Sequence, residues 1–501
     1  FKVLIPMCAL NVEKGMRLFM NEIKLSNILN NRNILSPSNY ENININSTIQ
    51  IQLKKLIDSV DKGIEIGSNN YVDTSDYKFI RTSAFTDYKL SIEEDKNSVL
   101  NISSNSYVNM NLKENDILIC KDSNVGEVVI LDRDYKNYMF SSGINRLNIS
   151  KNKLYIYAIM KNLKFKKQFI SKIPKGSTIM HGKNLYLDCL IPFPNDNESI
   201  EYIENLIKIL INKEKELKNK KSQIDNIIEK ELYDKDIIDN SNESYKYPKI
   251  SQLMRINRLD TGNYTEEYSK IDSMIKKYKF GYYFIDEKNI SGGNTPKKRI
   301  ISNSSNYKYH WITPSYIYND GTIDLSYSIS CEKCNIKKNC MLIINRTSKG
   351  GLGEYVGISS FYDHEKNGDA QHNQGIYKIK NMDDNDLIYL TCLMNSKLYR
   401  KYCANLSMGS KMKELKLNNI LSIPFPKFDD KTKTQICSLY YNKLRKNVTN
   451  SKEFVQFNKE WDSKAGILDI YESIINTKQI LNNMIERIYE NKKIEFEYKI
   501  F

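Results

Sequence analysis

Ile191-Pro-Phe-Pro194 and Ile423-Pro-Phe-Pro426 are the same four residues set 232 positions apart in a 501-residue chain. The segments downstream of these two elements decide the fold. Past the first, Ile203, Leu210, Leu217 and Ile224 return every seventh position through a segment rich in Glu and Lys. Towards the carboxyl end Ile467, Ile474, Leu481 and Ile488 do the same, joined by Ile470 and Met484, and neither stretch contains proline. Sevenfold spacing lines apolar side chains along one side of an α-helix, where a second helix can cover them. Each run would rise roughly 35–40 Å at the helical 1.5 Å per residue. Two matching helices at matching points of a chain predict mutual, antiparallel pairing.

Working upstream, other pairs fall in the same order at an offset of about 224 to 232 residues. Asn31 to Tyr40 aligns loosely with Asn257 to Tyr264. Gly67, ahead of Phe79-Ile80-Arg81-Thr82, pairs with Gly293, ahead of Trp311-Ile312-Thr313-Pro314. Asp116-Ile-Leu-Ile-Cys-Lys121 with Gly126-Glu127 pairs with Met341-Leu-Ile-Ile-Asn-Arg346 with Gly353-Glu354, and Ser142-Gly143-Ile144 with Gln374-Gly375-Ile376. A shared order at near-constant separation marks an internal duplication.

Within each copy the short apolar runs Ile117 to Cys120, Val128 to Leu131, Leu342 to Ile344 and Tyr377 to Ile379 read as strands. Leu154 to Ile159 and Leu387 to Met394 read as short helices packed on them. Gly126, Gly143, Gly350, Gly351 and Gly353 suit turns or close backbone approaches. The expected fold is α/β (α+β): two repeated domains separated by a pair of long coiled-coil-like helices. Residues 23–195 and 241–430 would be the two domains. Residues 196–240 would form the central spacer helix and 431–495 the carboxyl-terminal spacer helices, with 1–22 unassigned.

Composition agrees with a folded protein: 40% of residues are hydrophobic and 27% charged. No stretch approaches the 18 or so apolar residues of a membrane span. The start Phe1-Lys2-Val3-Leu4-Ile5-Pro6 lacks the order of a signal peptide. Lys and Arg number 75 against 60 acidic residues, a formal charge of +15, which favours contact with polyanions. Of nine cysteines only Cys331, Cys334 and Cys340 cluster. A tetrahedral metal site would need a fourth ligand such as His310 or His364, and a loop with incidental thiols is the preferred reading. A reducing compartment, the cytoplasm, is expected.

The ordered set of motifs resembles the specificity subunits of type I restriction-modification enzymes and the equivalent region of fused restriction-methylation enzymes. The resemblance runs over about residues 20 to 495. It is carried by Asn257-Arg-Leu-Asp260 with Tyr264, Ser291-Gly-Gly-Asn-Thr-Pro296, Trp311-Ile-Thr-Pro314 and Met341-Leu-Ile-Ile-Asn-Arg346 with its glycines. Asn373-Gln374-Gly375-Ile376, Gly409-Ser410 and Ile423-Pro-Phe-Pro426 complete it. The first copy departs more: Ile66-Gly67-Ser68 lacks the Thr-Pro, and Ser142 stands in place of the Gln. The resemblance implies two target-recognition domains reading the two parts of a split double-stranded DNA site. The helices would set the gap and help dock two adenine methyltransferase subunits, and restriction subunits where the system cleaves. Such a chain would sit with the DNA of a prokaryotic cell. It would hold no cofactor itself, S-adenosylmethionine belonging to the partner methyltransferase.

Base reading needs side chains that reach base edges, while Lys and Arg fix register on phosphates. Asn345, Arg346, Thr347 and Lys349 follow a predicted strand directly, and Lys121, Ser123 and Asn124 occupy the matching place in the first copy. Arg81, the basic run Lys297-Lys298-Arg299, the amides Gln371, Asn373 and Gln374, and Lys411 and Lys413 complete the candidate DNA contacts. Trp311 reads as core. No Asn/Asp-Pro-Pro-Tyr/Phe methyltransferase segment, phosphate loop, nuclease triad or activated nucleophile is found in the sequence. The expectation is a noncatalytic DNA-specificity component. The specificity region of a fused methyltransferase, or a protein-assembly scaffold, are the other readings.

Overall fold

The computed structural model describes residues 2–6, 20–24, 44–174, 180–233, 249–256, 261–296, 299–300, 309–326, 328–347, 355–409, 412–444, 447–448, 453–496 and 499–500. The chain is a mixed α/β protein that divides into two compact units. The first comprises Phe1–Lys215, Lys446–Trp461 and Ser473–Phe501, and the second Glu216–Arg445 and Asp462–Glu472.

In the first unit a four-stranded sheet runs in the order Ser59–Lys62, Ile144–Asn148, Ile117–Cys120, Val128–Ile130, with every pairing antiparallel. A second sheet places Lys78–Ile80 between Val99–Asn101, antiparallel, and Tyr138–Phe140, parallel. All four residues of Ile117–Cys120 are buried. That explains a continuous apolar run in place of strict alternation, since both faces of the strand are covered. Ile80, Phe85, Leu118, Cys120, Val129, Phe140 and Ile144 pack in one core, and helix Lys153–Lys161 lies on Val128–Ile130.

The second unit repeats the scheme, with one added strand, Arg299–Ile300, at the edge of its second sheet. Its sheet runs Ile290–Gly292, Ile376–Ile379, Cys340–Ile344, Ser359–Tyr362. Beside it Tyr309–Ile312 pairs in parallel with Ala370–His372. Helix Asp384–Asn395 packs on Cys340–Ile344 and Ser359–Tyr362. The two Ile-Pro-Phe-Pro elements are edge pairings too, Leu190–Phe193 with Ile49–Gln52 and Phe425–Pro426 with Tyr282–Tyr283.

Backbone hydrogen bonds give the correspondence residue by residue. Ser141 N–H donates to Ile80 O at 3.0 Å, and Asn373 N–H to Ile312 O at 2.9 Å. Gly126 N–H donates to Cys120 O at 3.0 Å, and Gly357 N–H to Ile344 O at 2.7 Å, both glycines at φ +84°. Three of the sequence pairings are thereby corrected. Cys120 matches Ile344, so Lys121 answers Asn345 and not Arg346. Gly126 answers Gly357 and not Gly353, because the second unit inserts seven residues after the strand. Gly293 answers Gly63 and not Gly67: a Cβ on Gly63 would meet Ser141 O at 1.9 Å and one on Gly293 would meet Asn373 O at 2.0 Å, whereas Gly67 has nothing within 4 Å. The proposed match of Asn31 to Tyr40 with Asn257 to Tyr264 falls largely outside the described residues.

The heptad segment is one helix, Asn197–Leu232. Its stripe Ile203, Leu210, Leu217, Ile224 is buried, as are Ile467, Ile470, Ile474, Leu481, Met484 and Ile488 of helix Ile467–Tyr489. Within the first unit the two helices meet. Lys478 Nζ lies 3.6 Å from Glu214 Oε1, and residues 193–199 share a cavity with residues of 488–496. The numbers run in opposite senses, so the contact is antiparallel. Within the second unit Lys220 Nζ donates to Ser463 O at 3.2 Å. Helix Asp430–Tyr440, read from sequence as part of the spacer, instead packs on Asp384–Asn395.

Candidate DNA-reading interface

Each unit ends its central strand in a polar tip held from two sides. In the first, Lys121 N–H donates to Gly143 O at 2.9 Å, and Gly182 N–H donates to Lys121 O at 2.6 Å. In the second, Asn345 N–H donates to Gly375 O at 3.0 Å, and Leu415 N–H donates to Asn345 O at 2.7 Å. The glycine in each sits in a tight place, since a Cβ on Gly143 would stand 3.0 Å from Thr82 Cγ2 and one on Gly375 would stand 3.1 Å from Pro314 Cγ. Both tips are therefore built on the same frame: strand end, glycine turn and the start of a short 3-10 helix, Thr82–Ala84 or Pro314–Tyr316.

On the first tip Ser123 and Asn124 are exposed and Lys121 half-buried. Lys121 Nζ pairs with Asp122 Oδ2 at 2.8 Å. Asn124 Nδ2 donates to Thr82 O at 3.1 Å, which ties the tip to the 3-10 helix. Ser123 sits at φ +61°, a left-handed conformation that turns the chain sharply there. Arg81 is exposed beside it, with Nη1 3.3 Å from Asn97 O.

On the second tip Arg346 and Thr347 are half-buried and pair as a short ladder with Glu414 and Lys413. Gln374 is exposed on the adjoining turn, and Asn373 Oδ1 accepts from Gly375 N–H at 2.8 Å. Two of the candidate readers are instead structural. Asn345 is 3% exposed and donates from Nδ2 to Gln374 O at 3.3 Å. Gln371 is 5% exposed and bonds to Asn294 O and His372 O. Lys297, Lys298, Lys349 and Lys411 lie outside the described residues, as does the side chain of Arg299. Trp311 is buried, as the sequence implies.

Sequence reasoning missed His181 and Glu414. His181 Nδ1 lies 3.0 Å from Asp122 Oδ1, with the ring largely exposed. The matching strand-to-strand position in the second unit is Glu414, opposite Arg346. The only available signal was their separation of 233 residues, close to the offset of the other pairs, for the two share no identity.

Cys331 and Cys340 are buried, Cys334 Sγ lies 3.6 Å from Asp369 Oδ2, and His364 Nε2 binds the other oxygen of that carboxylate at 2.7 Å. His310 turns to Ser328. Among the described residues no group of three or more His, Cys, Asp or Glu is arranged to hold a metal ion. Burial pushes the Cys340 thiol up to about 12 and the Cys120 thiol well above its ordinary value, so both are inert apolar groups of the strands. Among the described residues no helix is long and apolar enough to cross a membrane.

Comparison with known proteins finds no match among curated proteins. Among solved structures the chain is similar to the S subunit of a type I restriction-modification system from M. genitalium, at 13% identity and TM-score 0.37, covering 89% of this chain and 97% of that one. It is similar also to the HsdS subunit from Thermoanaerobacter tengcongensis, at 9% identity and TM-score 0.27, covering 89% and 97%. Residues 286–450 match the family described as Type I restriction modification DNA specificity domain. That match spans the strand Cys340–Ile344 and the paired residues Lys413 and Glu414, so this part of the second unit is similar to a type I restriction-modification DNA specificity domain.

Proposed function

We propose that the chain reads a bipartite double-stranded DNA target, one part with each unit, and brings adenine methyltransferase subunits, and restriction subunits where present, to that site. The observation that carries this is one hydrogen-bonded frame built twice, each copy presenting a polar tip with different side chains. The family match covers only the second copy; the residue-by-residue frame extends the reading to the first. Duplication of the frame suits two separate contacts on one duplex, and divergence of the tips suits two different sequences. Lys121, Ser123, Asn124 and Arg81 would serve the first half. Arg346, Thr347, Gln374 and Lys413 would serve the second, with Lys297, Lys298, Arg299, Lys349 and Lys411 adding phosphate contacts. The surplus of 15 positive charges supplies sequence-independent affinity that weakens as salt rises. The paired helices would hold the gap between the halves.

Selection from random duplexes by the chain assembled with its methyltransferase subunits tests this. Enrichment of two short motifs at a fixed gap supports it, and enrichment of a single unbroken motif, or of none, refutes it.

A further inference from the structure

The two tips carry opposed pairs of side chains at matching places. Asp122 faces His181 across an isolated bridge in the first unit. Arg346 faces Glu414 in the second. The flanking hydrogen bonds fix the match: Gly182 N–H to Lys121 O and Leu415 N–H to Asn345 O are the same bond in the two frames. The polarity is reversed: the strand side is acidic in the first unit and basic in the second, and the facing residue is basic-type in the first and acidic in the second. Residues directly opposite in an antiparallel pair project from the same face. Each pair therefore presents one donor group and one acceptor group together.

We propose that this facing pair is the specificity-determining element of each unit, and that its reversed polarity makes the two units read different bases. The proposal rests on the DNA-reading function above. Arg346 supplies the planar fork that matches guanine O6 and N7, with Glu414 beside it to accept from the amino group of a neighbouring cytosine. In the first unit Asp122 is the acceptor. Its two oxygens are oriented by Lys121 at 2.8 Å and His181 at 3.0 Å, leaving it to take a hydrogen bond from the exocyclic amine of cytosine or adenine. His181 is held by Nδ1, which leaves Nε2 for the base or its neighbour.

Random-duplex selection decides it, using wild type, Arg346→Lys, and the double variant Asp122→Arg with His181→Glu, each assembled with its methyltransferase subunits. Arg346→Lys keeps the charge and loses the fork. It should relax one guanine in one half-site, lowering discrimination there roughly ten- to hundredfold, while the other half and the gap stay fixed. The double variant should alter the other half alone. Unchanged motifs, or even weakening across both halves, would overturn the proposal and leave these residues as phosphate or structural contacts. Should the double variant fail to fold, seen as a collapsed thermal midpoint, Arg346→Lys decides alone. If wild type itself selects no split site, it is the DNA-reading function that fails.

Discussion

Glu214 accepts the backbone N–H of Leu90 at 3.0 and 3.1 Å, so a carboxylate on the long helix ends a loop of the first unit. The same carboxylate takes Ser91 N–H at 3.2 Å and Ser91 Oγ–H at 3.3 Å. Lys478, beside it, donates to Tyr88 O. At 7% exposure for the residue, Glu214 has little water to fall back on. Glu214→Ala strands two buried backbone donors, Leu90 N–H and Ser91 N–H, and should cost about 2–4 kcal/mol. Glu214→Gln, which keeps one acceptor oxygen, should cost less. Denaturant unfolding measures both, and an unchanged midpoint for Glu214→Ala would show that the loop is held otherwise.

The glycines at the start of each frame make a sharper comparison. Gly63→Ala and Gly293→Ala drive a methyl to within about 2 Å of a carbonyl oxygen that is itself held in a turn, Ser141 O by Ile144 N–H and Asn373 O by Ile376 N–H. Each should cost about 2 kcal/mol or more. Gly67→Ala meets nothing within 4 Å, at an ordinary φ of −70°, and should stay within about 0.5 kcal/mol. Thermal unfolding of the three variants checks the order, and with it the corrected pairing of Gly293 with Gly63.

Much of this architecture was legible because burial leaves a pattern. The sevenfold stripe, the apolar strands and the constant 232-residue offset linking Phe79 to Trp311 and Ser142 to Gln374 all reappear as packed or hydrogen-bonded positions. The errors have a common cause. Ile117–Cys120 and Cys340–Ile344 are buried along their whole length, so no alternation of side chains fixes their register, and a slip of one residue put Lys121 against Arg346. Gly353-Glu354 imitates Gly126-Glu127 in letters, but an inserted stretch moves the true turn to Gly357. At the tips the signal is weakest of all. Asn345 and Arg346 are adjacent polar residues, and only the fold shows that the first is spent on Gln374 O while the second remains on the face with Glu414.

The buried heptad positions should behave as core, not as one side of a surface helix. Leu210 is fully buried, while Lys208, two residues earlier on the same helix, is exposed. Leu210→Ala should cost about 2–5 kcal/mol through lost burial and the cavity left behind. Lys208→Ala should fall within about 0.5 kcal/mol. Equal effects in equilibrium unfolding would mean that the stripe is not covered in solution.

His372 gives the second unit an acid sensitivity that has no counterpart at the matching position of the first. Burial, reinforced by the nearby charge of Lys378, lowers its pKa to about 4 from an ordinary 6.5, and the neutral ring bonds through Nδ1 to Asn335 Oδ1 at 2.8 Å. The folded state resists a proton that the unfolded chain accepts. Stability is therefore complete above pH 6.5, falls as the pH drops from 6.5 towards 4, and levels off below, the loss reaching about 3 kcal/mol at most. The residue at the equivalent place in the first unit is Phe140, 1% exposed and unable to titrate. His372→Phe keeps the backbone donor to Asn335 Oδ1 at 3.1 Å, so the fold should survive while its contribution to the acid slope disappears. Unfolding free energies of wild type and His372→Phe, measured between pH 4 and 7, should run parallel at a constant offset above 6.5 and differ in slope below it. Parallel slopes would mean that His372 does not titrate in this window.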